Sequence, residues 1–236
     1  MGISERKERE RESRRSAIVL SAEKVFFSKG LALATMDDVA EEAELSKGTL
    51  YLYFKSKNEL YMAIAERGLG ILLDLFHQAT NPIHSGREQL GFIGEAYFEF
   101  ARRYPEHYKA ITYFEMHDLE SELVGSEVTK ECQEIGNTLI QQTNRIIEQG
   151  IADGSINTTL DPTELTILLW SSMRGIIQLY HMRHRGHQMP ALKELNLDGL
   201  SHQFIHLILE GVRHKSEYPD LPHILSSPTA IPHEER

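Results

Sequence analysis

Apolar positions in the first sixty residues recur with the period of a helix, and the pattern breaks twice at short intervals. Ile18, Ala22, Val25 and Phe26 fall at i, i+4, i+7 and i+8, one stripe that predicts a helix over 15–29 ended by Gly30. Thr35 precedes Asp38 by three, a capping-box pattern with Asp37 also in the first turn, and Val39, Ala40 and Ala43 give a short helix its inner face. Ser46 repeats the device. Its hydroxyl can accept from a backbone N–H of a second short helix, where Leu50 and Phe54 point inward and Lys47, Thr49, Tyr51, Leu52 and Tyr53 point out. Two short helices about three residues apart cannot form an antiparallel hairpin; they cross steeply, as in helix-turn-helix units.

Six more helices follow, which makes the fold class all-α. The first runs over 58–78 with Leu60, Ile64, Leu72, Leu75 and Phe76 as apolar positions, and Pro82 closes it off. It joins the head to the body, and Gly68 and Gly70 in it read either as a soft point or as sites of close helix packing. Helices over 86–104 and 105–117 come next, the second opened by Pro105, whose missing N–H suits a helix start. A long helix spans 121–153 and ends at Gly154. Asp161-Pro162 caps another, which holds LTILLWSSMRGIIQLYHMR, and a last helix covers 197–215. Four prolines after Glu217 predict an irregular tail.

Charge narrows where nucleic acid can bind. The formal net charge is −10, unusual for a nucleic-acid binder, yet residues 1–60 are neutral and residues 61–236 carry the whole excess of acid. From Ser46 to Ser56 the chain holds Lys47 and Lys55 and no acid, so positive charge is local. No apolar run approaches the roughly 18 residues of a membrane span, and the charged start has no apolar signal-peptide core, which gives no membrane partner and a cytoplasmic expectation. The single cysteine, Cys132, has no internal disulfide partner.

The run L-S-K-G-T-L-Y-L-Y-F-K-S-K-N-E-L, behind V-A-E-E-A, Thr35 and an A-x-x-x-F helix ending in Gly30, resembles the tetracycline-repressor (TetR/AcrR) regulators over about 15–64. That resemblance implies a three-helix DNA-binding head over 15–60 and a helical ligand-binding and dimerising body over 61–216, before the tail at 217–236. It also implies a homodimer on a double-stranded palindromic operator, with a small-molecule effector. Carried over residue by residue, Thr35 and Ser46 meet phosphates, Lys47, Gly48 and Thr49 enter the groove, and Tyr51, Tyr53 and Lys57 grip the backbone. Their chemistry agrees: Gly48 allows close approach, ammonium groups neutralise phosphates, and Leu52 suits a thymine methyl. Two positions depart from the pattern. Glu44 replaces the usual turn glycine, which puts a side chain at positive φ at about 1 kcal/mol. Residues 1–14 mix five basic residues, six with Arg15, with Glu5, Glu8, Glu10 and Glu12, and read equally as a minor-groove arm or as a salt-bridged helix extension.

The body is rich in aromatic side chains. Phe92, Tyr97, Phe98, Phe100, Tyr104, Tyr108, Tyr113 and Phe114, with Met116, could line an apolar cavity; of these Phe92, Phe98, Tyr113, Phe114 and Met116, with Trp170 and Met173, are the candidate lining of an effector site. Glu95, Glu99 and Glu115 would select cations if buried, though a solvated acidic face also explains them. In the resembled family the last two long helices pair across a two-fold axis, which assigns Arg174, Ile177, Tyr180, His181, Leu200, Phe204, Leu207 and Ile208 to a dimer interface. His181, His184 and His187, and the i, i+4 pair His202 and His206, form no recognisable metal set, and no cofactor is implied. No phosphate loop, dinucleotide fingerprint, nucleophile elbow or zinc-protease signature is present, so an enzyme is not expected. The reading is a ligand-responsive regulator, a repressor released by a small apolar or aromatic effector. The alternatives are a helical small-molecule carrier and a metal-responsive regulator with the same head.

Overall fold

The structure, a computed structural model, describes residues 2–116, 123–184 and 197–213. Among these, all regular structure is helical, in nine helices. They are α1 (Ile3–Leu33), α2 (Met36–Glu42), α3 (Lys47–Tyr53), α4 (Lys57–Ala79), α5 (Gly86–Arg103), α6 (Pro105–Met116), α7 (Glu127–Ala152), α8 (Pro162–His184) and α9 (Leu197–Gly211).

Helix α1 extends well before the predicted stripe. Its first residues alternate in charge at helical spacing, and Arg6 pairs with Glu10 at 2.8 Å, so these residues continue α1 as a salt-bridged helix. Gly30, at φ 76°, breaks α1 where the sequence ends it, and one further turn runs to Leu33. Helix α7 starts at Glu127, later than predicted, because Ser126 is its cap and Gly125 at φ 75° turns the chain before it; 121 and 122 lie outside the described residues. The tail at 217–236 also lies outside them.

Two cores result. In the head, Ile18, Ala22 and Phe26 of α1 pack with Val39, Leu50, Phe54 and Leu60. This core continues into Ala110 of α6 and Val128 of α7, so the body's helices reach the head directly as well as through α4. The second core gathers Leu72, Phe76, Leu90, Ile93, Phe100, Ile147, Leu169 and Ile205 around the body's axis. In α4, a Cβ on Gly68 would stand 2.9 Å from His107 Cβ, which identifies that glycine as a packing site, whereas Gly70 faces open space.

Cys132 lies half-buried at the junction of α7 with α4, its Sγ 3.9 Å from the Met62 carbonyl oxygen. Burial, with the Glu66 and Glu131 carboxylates nearby, pushes the thiol up to about 12. Alkylation by iodoacetamide at pH 8 is therefore expected to be at least about tenfold slower in the native chain than in urea, since the thiolate is the reactive form. Equal rates in the two states would contradict this environment.

Candidate functional site

Helices α2 and α3 are placed by their own caps. Thr35 Oγ1 accepts from Asp38 N at 3.1 Å and Thr35 N donates to Asp38 Oδ2 at 2.9 Å, the reciprocal box read from the sequence. Lys29 Nζ donates to the other Asp38 oxygen at 2.7 Å, and this bond, with those from Thr35, lowers the carboxyl to about 2. Between the helices Glu44 takes φ 53°, the one positive-φ residue other than glycine among the described residues. Leu45 N then donates to the Ala40 carbonyl at 2.9 Å and closes the turn. The αL geometry expected of the missing glycine is therefore kept, with a glutamate bearing the strain.

Ser46 Oγ accepts from Thr49 N at 3.1 Å and shares a hydrogen bond with Thr49 Oγ1 at 2.8 Å. Beyond this cap, α3 turns Leu50 inward and presents Lys47, Gly48, Tyr51 and Leu52 outward, with Leu52 72% exposed. Lys55, just past the helix, is exposed too and donates to the Tyr51 carbonyl; its position four residues after Tyr51 is the signal for it in the sequence. Nothing but Ser46 Oγ comes within 4 Å of a Cβ built on Gly48. Lys47 Nζ pairs with Asp37 at 2.7 Å, both side chains exposed, and the pairing raises the lysine's pKa.

Two residues of this set face the protein. Tyr53 is half-buried against the head core. Lys57, read from the sequence as a backbone contact, sends its ammonium to the carbonyl oxygens of Leu31 at 2.7 Å and Ala34 at 3.1 Å. There it satisfies acceptors at the negative end of α1, a structural use of its charge.

The body encloses a cavity of about 190 Å³. Its wall follows helix geometry. Helix α5 contributes Leu90, Ile93, Gly94 and Tyr97, and α6 contributes Tyr108, Ile111, Thr112 and Glu115, each set at i, i+3, i+4 and i+7. Leu139, Ile140 and Thr143 of α7, Trp170 and Met173 of α8, and Phe204, Ile205 and Ile208 of α9 complete most of it. At one end Glu115 Oε2 pairs with Arg174 Nη1 at 2.8 Å, and the guanidinium lies over the Trp170 ring, 5.5 Å from its centroid. Burial raises the Glu115 pKa, against the lowering effect of Arg174. Burial also holds the Tyr97 hydroxyl well above its ordinary value, and its ring meets that of Tyr108 edge-on.

Of the residues expected to line the site, the structure brings Trp170 and Met173 to the cavity. Phe98 is buried one position round from Tyr97, so the helix turns it into the body core. Phe92 is exposed and packs edge-on to His84. Tyr113 and Phe114 occupy the opposite face of α6, where both meet Tyr61 and the head core. The Met116 side chain lies outside the described residues. Of the wider aromatic set, Tyr97, Phe100 and Tyr108 also reach the cavity, while the α9 residues, Phe204 and Ile208 among them read from the sequence as interface, are the lining that sequence reasoning missed.

The expected interface residues also divide. Leu207 of α9, 68% exposed, and Tyr180 of α8 face outward. Ile177 is a core residue, while Phe204 and Ile208 face the cavity and Arg174 is held by Glu115, because α8 and α9 each carry a cavity face beside an outer one. Leu200 is half-buried, and the side chains of His181, His184 and His187 lie outside the described residues. The outer face of α8 holds Leu168, Ser171, Ser172 and Gly175. His202 bonds to Glu95 at 2.7 Å, and among the described residues no group of three or more potential ligands is placed to hold a metal ion.

Comparison with known proteins gives a consistent set of likenesses. Residues 18–64 match the family model for bacterial regulatory proteins of the tetR family, and residues 91–198 match that for a tetracyclin repressor-like C-terminal domain. The chain is 35% identical over 101 residues to the HTH-type transcriptional activator FasR of Mycolicibacterium smegmatis; the match takes in 43% of this chain and 46% of FasR, so it spans under half of that relative. It is 30% identical over 193 residues to the HTH-type transcriptional regulator YhgD of Bacillus subtilis, covering 81% of this chain and 94% of the relative. Its fold superposes on the transcriptional regulator FadR of Bacillus subtilis, solved in complex with stearoyl-CoA, with a TM-score of 0.64 at 18% identity over 84% of this chain and 98% of that one. These relatives are regulators of transcription, and none is an enzyme by its description.

Proposed function

This chain belongs to the tetR family of bacterial regulatory proteins, and from that premise we propose that it is a repressor that binds a palindromic duplex operator as a homodimer and leaves it when an apolar molecule with an acyl chain fills the body cavity. The observation that carries the reading is the outward face of α3. Lys47, Gly48, Tyr51 and Leu52 are exposed there on a helix fixed by Ser46, which is what a major-groove reader requires.

In this reading Lys47, Gly48 and Thr49 meet the groove, Leu52 meets a thymine methyl, and Thr35, Ser46, Tyr51 and Tyr53 hold flanking phosphates, with Lys55 added to them. Lys47 must first exchange Asp37 for DNA. Exposed ion pairs are weak and salt-screened, so the exchange is easy. Lys57 serves by fixing the end of α1. The outer face of α8 and α9, with Leu168, Leu207 and the small residues Ser171, Ser172 and Gly175, is the surface that meets the second copy. The acyl-chain reading is supported by the aliphatic and aromatic lining of the cavity and by the stearoyl-CoA complex of the FadR relative.

Selection from a random duplex pool at physiological salt should enrich a palindrome; bulk duplex recovered equally well defeats the reading. Gly48→Ala is then the sharper test. The new methyl meets only Ser46 Oγ at 3.9 Å, an ordinary contact, so thermal stability should hold or rise by up to about 1 kcal/mol, while affinity for the selected duplex falls at least about tenfold. Unchanged affinity in a folded Gly48→Ala would mean that α3 does not enter the groove.

A further inference from the structure

The threonine hydroxyls along the cavity wall are engaged within the protein. Thr112 Oγ1 donates to the Tyr108 carbonyl at 3.0 Å, Thr143 Oγ1 to the Leu139 carbonyl at 3.0 Å, and Thr166 is bonded to Asn144 at 2.6 Å. The Tyr97 and Tyr108 rings meet edge-on, 6.3 Å between centroids. Glu115 is the one ionisable carboxylate among the described lining residues, and its partner Arg174 stands directly behind it. Both side chains remain partly exposed, 31% for Glu115 and 23% for Arg174, so the pair sits where the cavity meets the surface. The rest of the wall is mostly aliphatic and aromatic and carries no charge, which makes this mouth the place best suited to the polar end of a bound molecule.

We propose that the Glu115–Arg174 pair is the head-group site of the cavity, and that it takes the uncharged carbonyl of an acyl ester or thioester in preference to the free carboxylate of the same chain. The inference rests on the acyl-effector reading above and adds the functional group that is read.

The pair is electrically neutral, and that decides between the two head groups. A guanidinium has five N–H donors, and Glu115 engages it through Nη1. A carbonyl oxygen needs one further donor and brings no charge. A carboxylate must either share Arg174 with Glu115, which sets two anions against each other in a poorly solvated mouth, or displace Glu115 and leave it without its cation. Arg174 cannot easily swing aside to relieve this, because its guanidinium lies over Trp170, itself part of the wall. Burial already disfavours the charged form of Glu115, and a second negative charge beside it compounds that effect. The same neutrality removes any preference for a cationic ligand that Glu115 alone would have conferred.

Isothermal titration of the full-length protein at pH 7.5 with laurate, methyl laurate and lauroyl-CoA tests this. Methyl laurate and lauroyl-CoA should bind at least about tenfold tighter than laurate. Glu115→Gln keeps the side chain's shape and leaves Arg174 without its anion, so laurate should gain about tenfold relative to methyl laurate. Arg174→Leu should bring methyl laurate down toward laurate; if it does not fold, Glu115→Gln carries the decision alone. Laurate binding as tightly as methyl laurate to the unaltered protein, or no gain for laurate in Glu115→Gln, overturns the proposal. Tight lauroyl-CoA with methyl laurate as weak as laurate also overturns it, since the nucleotide would then be the group recognised. Failure of all three probes to bind instead defeats the acyl-effector reading, and this proposal with it.

Discussion

Gly86→Ala is expected to destabilise the folded chain by about 3 kcal/mol or more, the largest effect of any methyl added to it. A Cβ at Gly86 would stand 2.2 Å from Gly150 N, 2.3 Å from Gly150 Cα and 2.6 Å from the Ile146 carbonyl oxygen. All three are backbone atoms of α7, so no rotamer change relieves the clash and the start of α5 must move away from α7. That movement breaks more than packing. Gly86 N donates to Asp153 Oδ2 at 2.9 Å and Arg87 N donates to Ser155 Oγ at 3.1 Å, so the chain leaving α7 satisfies two amide groups at the amino end of α5. Bonds from Ser155 and Gly86 also hold the Asp153 carboxyl below its usual range, a sign that the carboxylate is in use there.

Other glycines calibrate the prediction. At Gly150 the added methyl meets the Ile156 side chain at 2.5 Å, and a side chain can turn, so Gly150→Ala should cost less. At Gly70 it meets nothing within 4 Å, and the gain in helix propensity should stabilise by about 0.5–1 kcal/mol. Urea unfolding followed by circular dichroism gives the order Gly70→Ala, unaltered chain, Gly150→Ala, Gly86→Ala, from most to least stable. A Gly86→Ala midpoint equal to that of the unaltered chain would mean that α5 and α7 do not approach so closely.

The contrast between Gly86 and Glu44 marks what one sequence makes legible. Glu44 could be identified as a positive-φ glutamate because the turn that demands it is local, set by residues between Thr35 and Thr49. The caps at Thr35 and Ser46 and the break at Gly30 are local in the same sense. Gly86 is small because of a backbone more than sixty residues further on, and no spacing around it says so. Cavity residues fail for a related reason. Each step along a helix turns a side chain by about 100°, so Phe98 and Tyr97 are chemically equivalent candidates until the neighbouring helices fix which one faces inward. Tyr113 and Phe114 were drawn toward the head by Tyr61, a partner fifty residues earlier. Lys57 looked like a free cation because the carbonyls it serves come from the end of a different helix.

Glu23→Ala should be the second large loss, about 3 kcal/mol, and it acts on the joint between head and body. Glu23 belongs to α1 yet is only 9% exposed, and its Oε1 meets His107 Nε2 of α6 at 2.8 Å and Arg67 Nε of α4 at 2.9 Å. His107 is itself 7% exposed, packed edge-on to Phe27 of α1 and close against Gly68. Removing the carboxylate therefore strands a buried imidazole without its partner. Arg67 is nearly half exposed and can turn to water, which places the loss at the lower end of the range for a broken buried pair. Lys24, the next residue, forms the exposed pair with Glu42 at 2.8 Å, and Lys24→Ala should change stability by less than about 0.5 kcal/mol. The two neighbours thus form an internal control, one ion pair inside the joint and one outside it. Thermal unfolding gives the two losses, and hydrogen exchange should show Glu23→Ala loosening α1 and α6 together, since α6 carries the head contact on one face and the cavity wall on the other. Equal losses for Glu23→Ala and Lys24→Ala would show that the head is held to the body by apolar packing alone.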